Sequence, residues 1–151
     1  MREGFSAAGL QAYLHEHIPL SKAMAVEAVS VSDAEVVLSA PLEPNINHRE
    51  TVFGGSASAV AILSAWSLLH TRLQAEGIAC QLVIQRNLMD YDLPIAGAFQ
   101  ARAALADPQD WPRFLLILSR KRRARIAVSA ILEFQGRQAG RFSGEFVALG
   151  R

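Results

Sequence analysis

The sequence predicts an α+β protein, with one antiparallel six-stranded sheet wrapped around a single long central helix. Three observations carry that prediction. Residues 56–69 form an apolar run broken only by serines, and a helix that is apolar all round is a buried one. Most of the remaining segments alternate apolar and polar residues with a period of two, which marks half-buried strands. Short turns join those segments, which implies antiparallel pairing, and strands with helices segregated to one face make the α+β arrangement.

The chain of 151 residues reads as one domain spanning 1–151. Its net charge of +1 argues neither for nor against a polyanionic partner. Cys80 stands alone, so no disulfide framework is expected, and no charged-then-apolar leader opens the chain. A cytoplasmic location is the resulting expectation. The apolar part of the long helix, about 16 residues from 54 to 69, falls short of the roughly 20 a membrane span needs.

The elements follow in order. Phe5, Leu10, Tyr13, Leu14 and Ile18 recur at helical spacing over residues 4–17, with Ser6 placed to cap and Pro19 to stop. His15 and His17 lie two apart and cannot share a helix face, and no third ligand is near, so no metal site is expected. Residues 23–32 and 34–42 alternate as a strand pair around the turn at Ser32-Asp33. Residues 45–50 form a polar loop. After Gly54-Gly55 the long helix runs from Ser56 to Glu76, where Gly77 supplies the stop. Residues 79–91 read as a long strand with Leu82, Ile84 and Leu88 on one side and Gln81, Gln85 and Asn87 marking polar positions. Residues 98–105 form a half-buried strand. Residues 107–112 turn into a short helix carrying Phe114, Leu115 and Leu118, although 114–119 would also serve as a strand. Two strands finish the chain, 125–135 and 139–149, joined at Gly136-Arg137.

The spacing Asn47, Thr51, Phe53, Gly54, Gly55 resembles the helix-entry motif of hotdog-fold acyl-CoA thioesterases. The wider run from Pro44 through Ser56, with Trp66, resembles a narrower group, the thioesterase domain found fused behind acetyltransferase domains. Asp110-Trp111 to Phe114, and residues 142–148, resemble the same group. This likeness covers nearly the whole chain. It implies the hotdog fold, hydrolysis of acyl-CoA or acyl-carrier-protein thioesters, and no cofactor beyond the coenzyme A of the substrate. It also implies a homodimer, with a dimer of dimers common in the fold, whose active site lies between one subunit's helix and its neighbour.

The resemblance assigns roles. Gly54 and Gly55 hold the thioester oxygen on their amides, because the first N–H groups of a helix lack partners and face the positive end of its dipole. Alternatively, these glycines only relieve crowding. Asn47 orients the water or thioester, or serves as a turn residue. Thr51 supports the loop, and Phe53 borders the entry. His48 is placed as a base or as a solvated loop residue. Many related thioesterases carry an acid on the helix eight residues after Gly54, where this chain has Ile62; Ser58, one turn earlier, is no base unaided. Candidates to replace the acid are Asn87, Asp90 and Asp92 at the end of the third strand, with Asp90 assigned the catalytic role. Tyr91-Asp92-Leu93-Pro94 departs from the family's ending there. The missing acid also leaves open a non-catalytic acyl-thioester or coenzyme A binder.

The basic run 120–125 has its own alternatives. Arg122 and Arg123 could hold coenzyme A phosphates, since guanidinium pairs well with phosphate. The same run also suits a solvated helix end. Without interleaved aromatics or a strongly basic balance, nucleic acid is not an expected partner.

Overall fold

The computed structural model describes residues 5–150. Helix α1 (Ala7–His17) is capped by Ser6, whose hydroxyl accepts from the Gly9 amide at 3.0 Å. It buries Leu10 and Leu14 against the core. The expected start at Gly4 lies outside the described residues. Pro19 ends α1 and also opens a second short helix, α2 (Pro19–Ala23), which the sequence reading gave partly to a strand. Proline is favoured at the first helical position because its missing N–H is not needed there.

Strands β1 (Glu27–Val31) and β2 (Val36–Ala40) form the first hairpin. A 3₁₀ turn at Glu43–Asn45 and a loop lead into α3 (Gly54–Ala75). Then come β3 (Cys80–Tyr91), β4 (Phe99–Leu105), α4 (Asp110–Lys121), β5 (Arg123–Phe134) and β6 (Arg137–Gly150). All six strands are antiparallel, in the order β1-β2-β4-β5-β6-β3. This is the hotdog architecture. α3 is packed on the sheet through Val60, Ala61, Leu68 and Leu69, against Leu38, Phe99, Val128 and Phe146 from four strands. Gly77, at φ 73°, turns the chain after α3 in the left-handed conformation open to glycine.

The segment read as either helix or strand is helix α4, with Trp111, Phe114 and Leu118 on its buried face. It lies against the first half of β5, which β4 is too short to pair: β4 reaches only to Leu105 opposite Val128.

Strand β3 corrects one expectation. Its pairing with β6 shifts register between Ile84 and Arg86, a bulge at Gln85. A bulge reverses which side chains face in along the rest of a strand. Leu82 and Ile84 lie opposite the buried Ala148 and Phe146, but beyond the bulge it is Asn87, Met89 and Tyr91 that lie opposite Gly144, Phe142 and Gly140. Leu88 therefore turns outward and is 67% exposed, while Asn87 stands on the helix side.

Candidate active site

The loop before α3 is held at several points. Ile46 and Val52 form a bridge, and the Asn47 amide donates to the Thr51 carbonyl at 2.8 Å. The Asn47 side chain binds the same loop three times. Its Oδ1 accepts from the Arg49 and Thr51 amides at 2.8 and 3.1 Å, and its Nδ2 donates to Thr51 Oγ1 at 2.9 Å. Below the loop, buried Asn45 donates to the Met24 and Pro41 carbonyls at 3.0 and 2.8 Å. The Phe53 amide donates to the Asn45 carbonyl at 2.7 Å. The entry to α3 is thus fixed from both sides.

Phe53 occupies the N-cap of α3, a position where Ser, Thr, Asp or Asn usually caps. It has no side-chain group to offer the amides. The Ser56 and Ala57 amides turn back to the Phe53 carbonyl at 2.9 and 3.0 Å, while among the described residues the Gly54 and Gly55 amides have no acceptor. No acidic side chain sits in the first turn, so the helix's own residues leave its positive end unneutralised. The Phe53 ring leans over Gly55 so closely that a Cβ there would meet it at 2.4 Å. Beside Gly54 stands the Tyr91 ring, 3.5 Å from where a Cβ would be, and the Tyr91 hydroxyl donates to the Gly54 carbonyl at 3.2 Å.

A cavity of about 280 Å³ opens at this point, lined by Val52, Gly54, Ala57, Ile95 and Leu132 with Tyr91 and the carboxylate-bearing Asp92 at its side. The lining is mostly apolar, which suits an acyl chain better than a polar ligand.

The structure brings together Asn47, Thr51, Phe53, Gly54 and Gly55. His48 is exposed in the same loop, and Ser58 is half-buried one turn into α3. Asn87 lies on the helix side of β3 but is exposed at the sheet edge. Asp90 is not brought to the entry. It points to the outer face of the sheet, where its carboxylate lies 3.6 Å from Arg141. Asp92 lines the cavity beside Gly54, and its carboxylate is held there by the same guanidinium at 3.3 Å and by Gln138 at 3.3 Å. For Asp90 the reason is the bulge at Gln85, which sets the parity of the strand after it. Arg122 and Arg123 do not reach the entry of their own chain either. Arg122 caps α4 in the left-handed conformation and Arg123 opens β5 opposite Leu149. Leu149 also faces Gln81, so ten residues of β3, roughly 33 Å, separate that end of the sheet from Tyr91.

At the far end of α3, His70 stacks on Trp66 and on Tyr13, with ring centroids 4.6 Å away in each case. Burial, with the neighbouring His17 adding to it, pushes its pKa down to about 4. His70 is therefore a neutral packing residue at neutral pH. The role of Tyr91 was not legible from the sequence; its signals there were an aromatic residue at the end of a strand and its place in the Tyr91-Asp92-Leu93-Pro94 segment.

A hotdog sheet, a buried central helix and an uncapped glycine entry define a thioesterase-like class of protein. The family model described as "Putative thioesterase (yiiD_Cterm)" matches residues 7–150, and the chain belongs to that family. Among solved structures, a protein of unknown function from Chlorobaculum tepidum is similar at 29% identity and TM-score 0.90, over 96% of this chain and 94% of that one. The "putative thioesterase" of Shewanella oneidensis is similar at 27% identity and TM-score 0.84, over 95% and 96%. A thioesterase from Haemophilus influenzae shares the fold at 10% identity and TM-score 0.79, over 98% and 93%. Among the described residues, no helix is long and apolar enough to cross a membrane.

Proposed function

We propose that this thioesterase-family chain hydrolyses acyl thioesters of coenzyme A or of acyl-carrier protein at the entry to α3. The observation that carries the reading is the pair of amides at Gly54 and Gly55, without an acceptor among the described residues, beside a mostly apolar cavity. As water adds to the thioester carbon and loses a proton, negative charge gathers on the former carbonyl oxygen. Two aligned amides at a helix start stabilise that charge, a contribution typically worth about 3 kcal/mol of barrier per donor. The C–S bond then breaks, and the thiolate leaves and takes up a proton. Asn47 has four hydrogen-bonding positions, and its loop contacts use three. The remaining Nδ2 hydrogen is what it can turn toward the water or the thioester.

The working unit in this reading is a homodimer. β3 is a sheet edge of 12 residues with Val83, Leu88 and Tyr91 exposed. A long edge strand presents unpaired backbone N–H and C=O groups, which invite pairing with another strand. Ser58, Ala59, Ile62 and Trp66 form a half-buried stripe along α3, which a second copy would cover.

A second reading has its own support. Ile62 stands where many related thioesterases carry a helix acid, Asp90 is turned to the outer face, and the cavity's own carboxylate, Asp92, is paired with Arg141, which favours a protein that binds acyl thioesters without cleaving them. Acyl-CoAs from acetyl to palmitoyl, with thiol release followed, separate the two. Turnover of at least one chain length above the buffer rate supports the hydrolase; binding with no turnover supports the binder.

A further inference from the structure

The contact between Tyr91 and Gly54 is not needed to hold the fold, since the Tyr91 side chain is exposed and β3 is paired to β6 along its length. Its position in the peptide chemistry is specific. The Gly54 carbonyl and the Gly55 amide belong to one planar, resonance-coupled peptide unit. A donor on that oxygen draws electron density from the nitrogen and leaves its N–H a stronger donor. The contact also fixes the plane of the unit. The ring packs against the position a Gly54 side chain would take, 3.5 to 3.7 Å from it, which is ordinary van der Waals contact. The Gly55 N–H, in turn, has no protein acceptor among the described residues.

We infer that Tyr91 is a positioning residue for the oxyanion site: its hydroxyl, bound to the Gly54 carbonyl, aims and polarises the Gly55 amide. The inference rests on the reading that this amide receives the thioester oxygen. It joins the strand edge to the helix entry across 37 positions of sequence. Tyr91 does not touch the reacting atoms in this arrangement; it acts through the peptide unit.

The test is Tyr91→Phe in the full chain, which keeps the ring packing and removes only the hydroxyl. With the acyl-CoA that the wild type cleaves fastest, kcat is expected to fall about two- to sevenfold, with KM within about twofold. Two non-hydrolysable ligands supply a readout that a packing role would not move. A trifluoromethyl ketone analogue of the acyl-CoA, which presents a tetrahedral oxyanion, is expected to bind more weakly by the same factor as kcat. A thioether analogue, which lacks the oxygen, is expected to bind unchanged. An unchanged kcat overturns the inference and leaves the hydrolase reading standing. Equal weakening of both analogues overturns it too, since it makes Tyr91 a general binding contact. A loss beyond about a hundredfold replaces positioning with direct participation. A wild type that cleaves neither acyl-CoA nor acyl-carrier-protein thioesters overturns the hydrolase reading itself and takes this inference with it.

Discussion

The Asn47 side chain donates to Thr51 Oγ1 at 2.9 Å while its own oxygen accepts two amides of the same loop. Fold and chemistry meet in this one residue, and two substitutions separate them. Asn47→Ala removes all three contacts and is expected to lower stability by about 1–3 kcal/mol along with activity. Asn47→Asp keeps the oxygen that accepts the amides, and the Thr51 hydroxyl can rotate to donate. It is expected to melt within a few degrees of wild type yet lose at least tenfold in kcat, because a carboxylate beside a developing oxyanion is repelled. Melting curves and steady-state rates on the two variants check this. Equal rates in Asn47→Asp and wild type would count against a role for Asn47 beyond the loop.

Gly55→Ala places a Cβ 2.4 Å from the Phe53 ring, so the ring must swing away. Phe53 is 57% exposed and free to move, so the expected cost in stability is below about 1 kcal/mol. The amide beneath it is crowded, and kcat is expected to drop tenfold or more. Gly54→Ala meets the Tyr91 ring at an ordinary 3.5 Å and is expected to be the milder change. Reversed sensitivities, with Gly54→Ala worse in kcat, would move the oxyanion contact from Gly55 to Gly54.

The sequence displayed the core of this fold and hid its edges. α3 was legible because residues such as Val60, Ala61, Leu68 and Leu69 leave no polar face, which only a buried helix tolerates. The loop at Asn47 and Thr51 was legible because its contacts are local. Asp90 falls on the outer face because a bulge at Gln85 reverses the parity of β3, and no side-chain pattern there marks an inserted residue. Arg122 and Arg123 lie far from Gly54 of their own chain because that distance is set by the strand order, which local sequence does not show. The Tyr91 contact with Gly54 depends on the same long-range pairing.

His70 gives the molecule a defined response to acid. Its pKa is about 4 in the fold against 6.5 in the unfolded chain, so between those values the unfolded state binds more protons. Stability contributed by neutral His70 is complete above about pH 6.5 and is lost as pH falls toward 4. The side chain is only half-buried, so the expected share is about 2 kcal/mol rather than the full shift. Tyr13, Trp66 and Phe5 face the ring, and His17 is the charged neighbour when protonated. His70→Phe is expected to flatten the urea-unfolding free energy across that range by the same amount. A variant with an undiminished slope would place the acid response elsewhere.

Exposed Val83 and Leu88 on the edge strand make the assembly testable. Sedimentation equilibrium is expected to give the wild type twice the chain mass. Val83→Lys with Leu88→Lys is expected to shift it toward the single chain, because charges on a sheet edge oppose strand pairing. A wild type that runs as one chain at all concentrations would contradict the shared-edge assembly.

The central claim is that the Gly54 and Gly55 amides receive the thioester oxygen. Amide chemical shifts, followed by ¹H–¹⁵N correlation spectra while a trifluoromethyl ketone analogue of acyl-CoA is added, test it most directly. The account predicts large downfield proton shifts at Gly54 and Gly55 that saturate with binding. Saturable binding that leaves both of those resonances in place would contradict it.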